Sequence, residues 1–196
     1  MTAIASTDLP NFMTTLTAAV KNKKSDRPSA SAVVLALLQA EKAAKQQRIA
    51  YPLESLLGTW QLYFTAPRKA HFQNGKALGK GLYVPQKIAP AQISFFNQDQ
   101  LSINNQIQLG FLLFKLIGSA KYLGKKNLLA FDFTQMQISL FGRIIYNGKF
   151  RTKSHSINFA EQPIAKLPFF AFFLVTEDFI AARGRGGGIA IWVKNQ

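Results

Sequence analysis

After residue 56 the chain becomes a series of short segments rich in Ile, Val, Phe, Tyr and Thr, separated by Gly, Asn and Pro. That texture predicts β-strands joined by tight turns. Strands are expected at about 57–65, 70–76, 82–88, 91–97, 100–109, 112–122, 127–134, 136–147, 149–158, 171–176 and 187–194. Asn147-Gly148 reads as the clearest hairpin turn and Asn74-Gly75 as a second. Many antiparallel strands at this spacing suggest a meander, and a closed barrel is the usual way to leave no open edge. No internal repeat or low-complexity tract interrupts it.

Several of these segments are apolar on both faces, as in Phe111-Leu112-Leu113-Phe114 and in Phe169 to Leu174. A sheet with one wet face would alternate. Two apolar faces imply a covering helix, a greasy interior, or contact with lipid or a partner. An eight-stranded barrel is just wide enough to hold one small ligand. By their place in strands, Phe95, Phe111, Phe114, Phe131, Phe133, Phe141, Phe170 and Phe172 are the candidate cavity liners. Plain core packing is the competing reading for at least half of the 169–173 aromatics. Pro163 and Pro168 bracket their approach, which suits a segment that is not a central strand.

Ahead of the strands, two helices are expected. Residues 8–24 place Phe12, Leu16, Ala19 and Val20 on one face, with Thr7 or Asp8 as cap and Pro10 in the first turn. Residues 28–48 carry Val33, Val34, Leu37, Leu38 and Ala44 as a stripe, with Asp26 or Ser29 as cap. The second helix ends solvated and basic, and Pro52 separates it from the strands. The division is therefore a helical region, 1–52, packed on or flanking a β-barrel domain, 53–196; the class is mostly β with N-terminal helices.

Composition narrows the chemistry. The chain has 196 residues, room for one compact domain with a small appendage, and is 48% hydrophobic. It has no cysteine, which excludes disulfides, thiolate nucleophiles and Cys-based zinc sites. Lys and Arg number 24 against 9 acids, for a formal charge of +15. Such a surplus favours anionic partners. No acid occurs between Glu54 and Asp99, whereas Arg68, Lys69, Lys76, Lys80 and Lys87 do. With Lys125 and Lys126, the first four of these are the candidate contacts to an anionic lipid surface. No secretory signal is visible at Met1 to Pro10, and no apolar run approaches the roughly 20 residues needed to span a bilayer.

Two segments carry a family resemblance. Leu56-Leu57-Gly58-Thr59-Trp60-Gln61-Leu62-Tyr63-Phe64-Thr65 resembles the pattern L-x-G-x-W-x-L-x-Y-T that opens the barrel of the plastid lipid-associated proteins (fibrillins, or plastoglobulins). It also matches the looser Gly-x-Trp of lipocalins. At the other end, Glu177-Asp178, Arg183-Gly184 and the strand Ile189 to Val193 resemble the family's closing pattern. Ile180 stands where the family often has a first Arg. Residues 66–165 match only in texture. The resemblance implies a lipocalin-like antiparallel barrel and a non-catalytic carrier or structural protein. It would bind small hydrophobic molecules such as carotenoids, quinones or lipids at the thylakoid or lipid-body surface, with no cofactor. A cyanobacterial, cytoplasmic peripheral protein is expected, or a plastid protein if the form is processed. Gly58, Trp60, Arg183 and Gly184 are read as barrel-closing residues, with Arg183 stacked on Trp60 preferred to a ligand contact by the pair.

Other constellations read more simply as structure. Glu177 and Asp178 are neighbours that a strand would point oppositely, so a salt bridge or strand-end cap is preferred to a catalytic carboxylate pair. Arg183-Gly-Arg-Gly-Gly-Gly188 leads into a strand, not a helix, and no Lys-Ser/Thr follows. A tight turn is preferred to a phosphate loop or an RNA-binding element. His71 and His155 cannot make a histidine-rich metal site. Ser154-His155-Ser156 lacks a nucleophile elbow. The alternatives held beside the carrier reading are a chromophore-handling factor or enzyme on a similar barrel, acting on a bilin or other tetrapyrrole, and a nucleic-acid-binding module. The first would need Asp132, Glu177 or Asp178 inside a deep pocket. The second would need exposed aromatics beside the basic patches.

Overall fold

A computed structural model describes residues 11–21, 23–67, 70–73, 76–150 and 159–195. Helix α1 spans Asn11–Lys21 and α2 spans Ala30–Gln47. Ser29 caps α2, its hydroxyl accepting from the Ala32 amide at 3.2 Å. The strands among the described residues are β1 Gly58–Ala66, β2 His71–Gln73, β3 Lys76–Leu78, β4 Leu82–Tyr83, β5 Ala91–Asn97, β6 Leu101–Leu109, β7 Leu112–Leu123, β8 Leu128–Leu140, β9 Arg143–Lys149, β10 Phe169–Val175, β11 Phe179–Gly184 and β12 Ile189–Lys194.

Eight of them close an antiparallel barrel in the order β10-β11-β12-β1-β5-β6-β7-β8, shut by β8 pairing with β10. Closure uses only the start of β8, where Leu128, Leu129 and Ala130 face Ala171, Phe170 and Phe169. The far half of β8, Gln135–Leu140, pairs with β9 instead. β6, β7, β8 and β9 therefore run on past the closed part as an apron. A shift in register at Ile117/Gly118 marks where barrel becomes apron. There β7 and β8 approach so closely that a Cβ on Gly118 would stand 1.9 Å from the Asp132 carbonyl oxygen.

Two apolar clusters account for the burial. One fills the barrel: Trp60, Ile93, Phe95, Ile103, Leu129, Phe131, Phe172, Ile180 and Trp192 are among its buried members. The other lies outside the barrel wall. Leu16 and Ala19 of α1, and Val33, Val34, Leu37 and Leu38 of α2, pack on Tyr63 and Phe64 of β1, Phe173 and Leu174 of β10, Ala181 of β11, and Ile189 and Ile191 of β12. Strands β10 to β12 are thus apolar on both faces because one faces the interior and the other faces helices. Three tyrosines tie helices and linkers to strands. Tyr63 donates to the Ala19 carbonyl at 3.0 Å, Tyr83 to Pro28 at 2.8 Å and Tyr51 to Phe173 at 3.2 Å. The Arg27 guanidinium lies 5.0 Å and 5.4 Å from the Tyr63 and Tyr83 ring centres.

Several expectations need correction. Asn147-Gly148 is not a turn; both residues lie inside β9. The hairpin turns at Phe141-Gly142 instead, between the paired Leu140 and Arg143. The segments expected at 127–134 and 136–147 are consequently one strand through residue 140, then a second. Only Leu82–Tyr83 of the 82–88 segment is strand, since Gln86 to Ile88 form a turn. Strand β11, Phe179–Gly184, was not expected at all. Asn74-Gly75, the Thr7 or Asp8 cap and residues 151–158 lie outside the described residues; β2 and β3, which flank Asn74-Gly75, do pair antiparallel.

Candidate functional site

Among the described residues, side chains fill the barrel interior down to one small gap. Phe95, Phe131 and Phe172 are buried in it, and Phe133 and Phe170 pack partly buried on the same cluster. Their rings fill the space by stacking on one another. Phe131 lies 5.1 Å from both Phe133 and Phe170, Phe170 lies 5.3 Å from Trp192, and Phe95 lies 6.1 Å from Phe172. The gap left among Ile93, Phe95, Phe170, Phe172, Ile180 and Trp192 is about 120 Å³. Ligand pockets run to several hundred Å³. Five of the eight expected liners are therefore brought together, as neighbours in one core.

The other three lie on the apron. β6 and β7 pair without a shift, so side chains two residues apart stay on one face. That face begins at the buried Ile103 and continues outward through Asn105, Ile107 and Leu109 on β6 and Leu116, Phe114 and Leu112 on β7. Register aligns Ala91, Ile107, Phe114, Ile138 and Tyr146 in one row across β5 to β9. The row beyond it is Leu109, Leu112, Leu140 and Arg143. Among the described residues nothing covers this continuation of the barrel lining, in which Phe114 and Ile138 are half-buried and Ile107, Leu109, Leu140 and Tyr146 exposed. The opposite face is mixed: Gln92, Gln106, Lys115, Gln137 and Asn147 form one polar row, while the next, Gln108, Leu113, Ser139 and Ile144, carries two apolar side chains. Gln106 donates to Gln92 at 2.9 Å and Gln135 to Asn147 at 2.7 Å. Ile107, Leu109, Leu140, Ile144, Ile145 and Tyr146 are all exposed.

Phe111 and Phe141 were expected to line a cavity from within strands, and they do not. Both sit in the two-residue turns that end the apron, Gly110-Phe111 and Phe141-Gly142, and are 69% and 67% exposed. Their rings stack 4.5 Å apart, and the Phe141 amide donates to the Phe111 carbonyl at 3.0 Å. The two turns form one aromatic tip.

The barrel-closing residues take different partners from those expected. Gly58 opens β1 at φ 115°, which suits glycine. Trp60 is fully buried in the interior, and its indole N–H donates to the Leu56 carbonyl at 2.7 Å. Among the described residues the cation over its ring is Lys194, 5.6 Å from the centre, not Arg183. Arg183 lies on the outer side of β11 and grips α2. Its Nε and Nη2 donate to the two carboxylate oxygens of Glu41 at 2.9 Å and 2.6 Å, and its Nη1 to the Gly187 carbonyl at 2.6 Å. Strand alternation explains this: Ala182 and Ile180 face inward, so Arg183 faces the helices. Burial raises the Glu41 pKa, but the hydrogen bonds and charges of Arg183 and Lys45 outweigh it and hold the carboxyl below its usual range. Gly184 and Gly188 close the turn through backbone hydrogen bonds, as expected for a tight turn.

Of the basic candidates, Lys125 and Lys126 stand exposed on a 3-10 turn between β7 and β8. With Lys45 and Arg48 of the α2 end they rim a cleft floored by Ala171, Phe172 and Phe173. Lys80 is exposed beside β4. Lys76 begins β3, and Arg68 and Lys69 lie outside the described residues. Below the cleft rim, Asn127 holds the linker to the barrel. It adopts φ 49°, accepts from the Tyr51 amide at 2.8 Å and donates to the Ile49 carbonyl at 2.6 Å. Tyr122 donates to the Tyr51 carbonyl at 2.9 Å; burial, then the neighbouring Tyr51, push its pKa up to about 12. Burial likewise raises the pKa of Tyr51, Tyr63 and Tyr83.

The carboxylates do not converge. Asp132 alternates out of the interior between Phe131 and Phe133. Glu177 and Asp178 are exposed between β10 and β11, and Asp178 pairs with Lys21 at 2.7 Å. Among the described residues no three His, Asp or Glu side chains cluster as metal ligands, and no helix is long and apolar enough to cross a membrane. Sequence reasoning missed Glu41, Asn127 and the apron face. For Glu41 a signal existed: it is an acid one turn below Leu37, on the apolar stripe of α2. In comparisons with known proteins, no family model, curated protein or solved structure matches the chain.

Proposed function

We propose that this chain is a non-catalytic binding protein for small hydrophobic molecules of the carotenoid, quinone or lipid kind, working at a lipid surface. The observation that carries this is the open apolar face of β6 to β9, from Ile107 and Phe114 across to Ile138 and Tyr146. Soluble proteins seldom leave a large contiguous apolar patch uncovered unless something binds it. With side chains filling the described interior, the ligand's seat is read as this face, with a flat conjugated or prenyl chain along the row. Two further features support the reading. Gly58-Thr59-Trp60 opening β1, behind two helices, matches the fibrillin pattern and a lipocalin-like barrel. The formal charge of +15 suits approach to anionic headgroups.

The test is to purify the chain from its native membrane-containing extract and identify co-purifying pigments, quinones and lipids by mass spectrometry. An apolar compound is expected with the wild-type chain and should be lost with Ile107→Gln, an exposed site whose change leaves the packed interior alone. Recovery of ligand-free wild-type protein from that extract would remove the carrier reading.

A further inference from the structure

We infer that the Phe111–Phe141 tip is a membrane wedge: the end of the apron enters an anionic bilayer interface, with both rings among the acyl chains and Arg143 at the headgroups. This rests on the carrier reading and deepens it, since it assigns the outer end of the same face to lipid.

Three observations carry it. The first is position. The tip ends the β6–β7 and β8–β9 hairpins side by side, and Leu109, Leu112 and Leu140 stand in the row behind it. A stacked pair at the farthest point of a sheet has no core to join.

The second is backbone cost. Phe141 has φ 50° and Gly142 φ 77°, the pair of left-handed residues of a two-residue hairpin turn. The first of these positions favours Asn, Asp or Gly. A bulky aromatic in the left-handed region is disfavoured, and here it is exposed as well. Folding alone would select against Phe on both counts, so its presence points to use. Strained, exposed residues of this kind mark ligand and contact sites.

The third is charge. No Asp or Glu occurs from residue 100 to 131 or from 133 to 160, and Asp132 belongs to the barrel half of β8. The apron therefore carries Lys115, Arg143 and Lys149 with no carboxylate of its own. This complements an anionic surface and would repel a second copy presenting the same cations. Such charges act within about one Debye length, roughly 8–10 Å in ordinary salt, while the rings add an attraction that salt does not screen.

The test uses flotation of the full chain with vesicles of phosphatidylcholine alone or mixed with phosphatidylglycerol, at low and high salt. The variant is Phe111→Ser with Phe141→Asn. Asn suits the left-handed position, so the thermal midpoint should hold or rise. Each ring is about two-thirds exposed, so each should carry about tenfold in partitioning, and the double variant should bind about a hundredfold more weakly to both vesicle types. High salt should weaken wild-type binding to the mixed vesicles but leave a residual equal to that on phosphatidylcholine alone. Wild-type-like flotation of a well-folded double variant would overturn the inference. So would a wild-type dimer, seen by sedimentation, that the double variant abolishes while vesicle binding persists. Co-purified ligand separates the two readings: the double variant should retain it while Ile107→Gln loses it. A double variant that keeps its ligand yet floats normally defeats the wedge alone.

Discussion

Arg183→Ala should destabilise the fold more than any ordinary surface change, and by an amount that depends on pH. Glu41 is 7% exposed and receives two charged hydrogen bonds from Arg183. Removing the guanidinium leaves that carboxylate with Lys45 alone, whose side chain is 74% exposed. Breaking a buried pair by deleting one partner costs about 3–5 kcal/mol. Arg183 keeps a quarter of its side-chain exposure, which favours the lower end, about 3 kcal/mol. For a chain of this size that is a fall of roughly 6–12 °C in midpoint. The sign with pH follows from the lowered Glu41 pKa. A depressed carboxyl contributes stability that is present above its unfolded value, here 4.5, and lost as pH falls through the folded value. Urea melts at about pH 7 and about pH 3.5 should therefore show the gap between wild type and Arg183→Ala narrowing on acidification. The double change Glu41→Met with Arg183→Met should cost less than Arg183→Ala, because no buried charge is left unpaired. A neutral-pH loss under about 0.5 kcal/mol, or a gap that does not change with pH, would refute this account of the α2–β11 junction.

Alkaline stability should fall from the unfolded tyrosine value near 10 up to about 12, because the Tyr122 phenol keeps its proton in the fold. At roughly 1.4 kcal/mol per unit, Tyr122 accounts for at most about 3 kcal/mol of that fall, less for its partial exposure. Tyr122→Phe should flatten part of the decline in urea melts across that range; Tyr51, Tyr63 and Tyr83, shifted the same way, keep the rest. Asn127→Ala should cost about 3 kcal/mol in the same melts, from its lost hydrogen bonds to Tyr51, Ile49 and Tyr122 and the left-handed backbone. Asn127→Gly should recover about 1 kcal/mol by relieving the backbone alone.

What was legible in the sequence tracks a physical divide. Local patterns were readable. The stripes of α1 and α2, the Ser29 cap, and strands with strong alternation or β-branched content such as β5 and β6 lie where expected. The turn at Phe141-Gly142 was not, because a favourable Asn-Gly pair lies six residues on while the real turn uses a Phe that resists the conformation. Strand β11 was hidden because Phe179-Ile-Ala-Ala carries small residues, chosen for helix packing on one side and the packed interior on the other. Partner identity was the least legible. Arg183 pairs with a residue 142 positions away, and Asn127 holds a linker 76 to 78 positions away. No local pattern encodes such distances, and the Arg183–Trp60 cation–π pair expected at the closed end of the barrel puts both on one face when alternation sets them on opposite ones.

The same divide explains why the aromatic residues split into two populations. Eight phenylalanines looked equivalent when judged by strand membership. Register separates them: a ring becomes core where the barrel wall closes around it, and surface where β8 leaves β10 for β9. Phe131 and Phe114 both face the lumen side, on β8 and the neighbouring β7, yet only Phe131 lies where β10 closes the wall. Had β8 continued along β10 over its full length, the apron would have curled into the barrel and its apolar face would have been core. Its exposure is thus a product of topology, not of composition. The change of partner along β8, from β10 to β9, is what turns an ordinary apolar lining into an exposed surface.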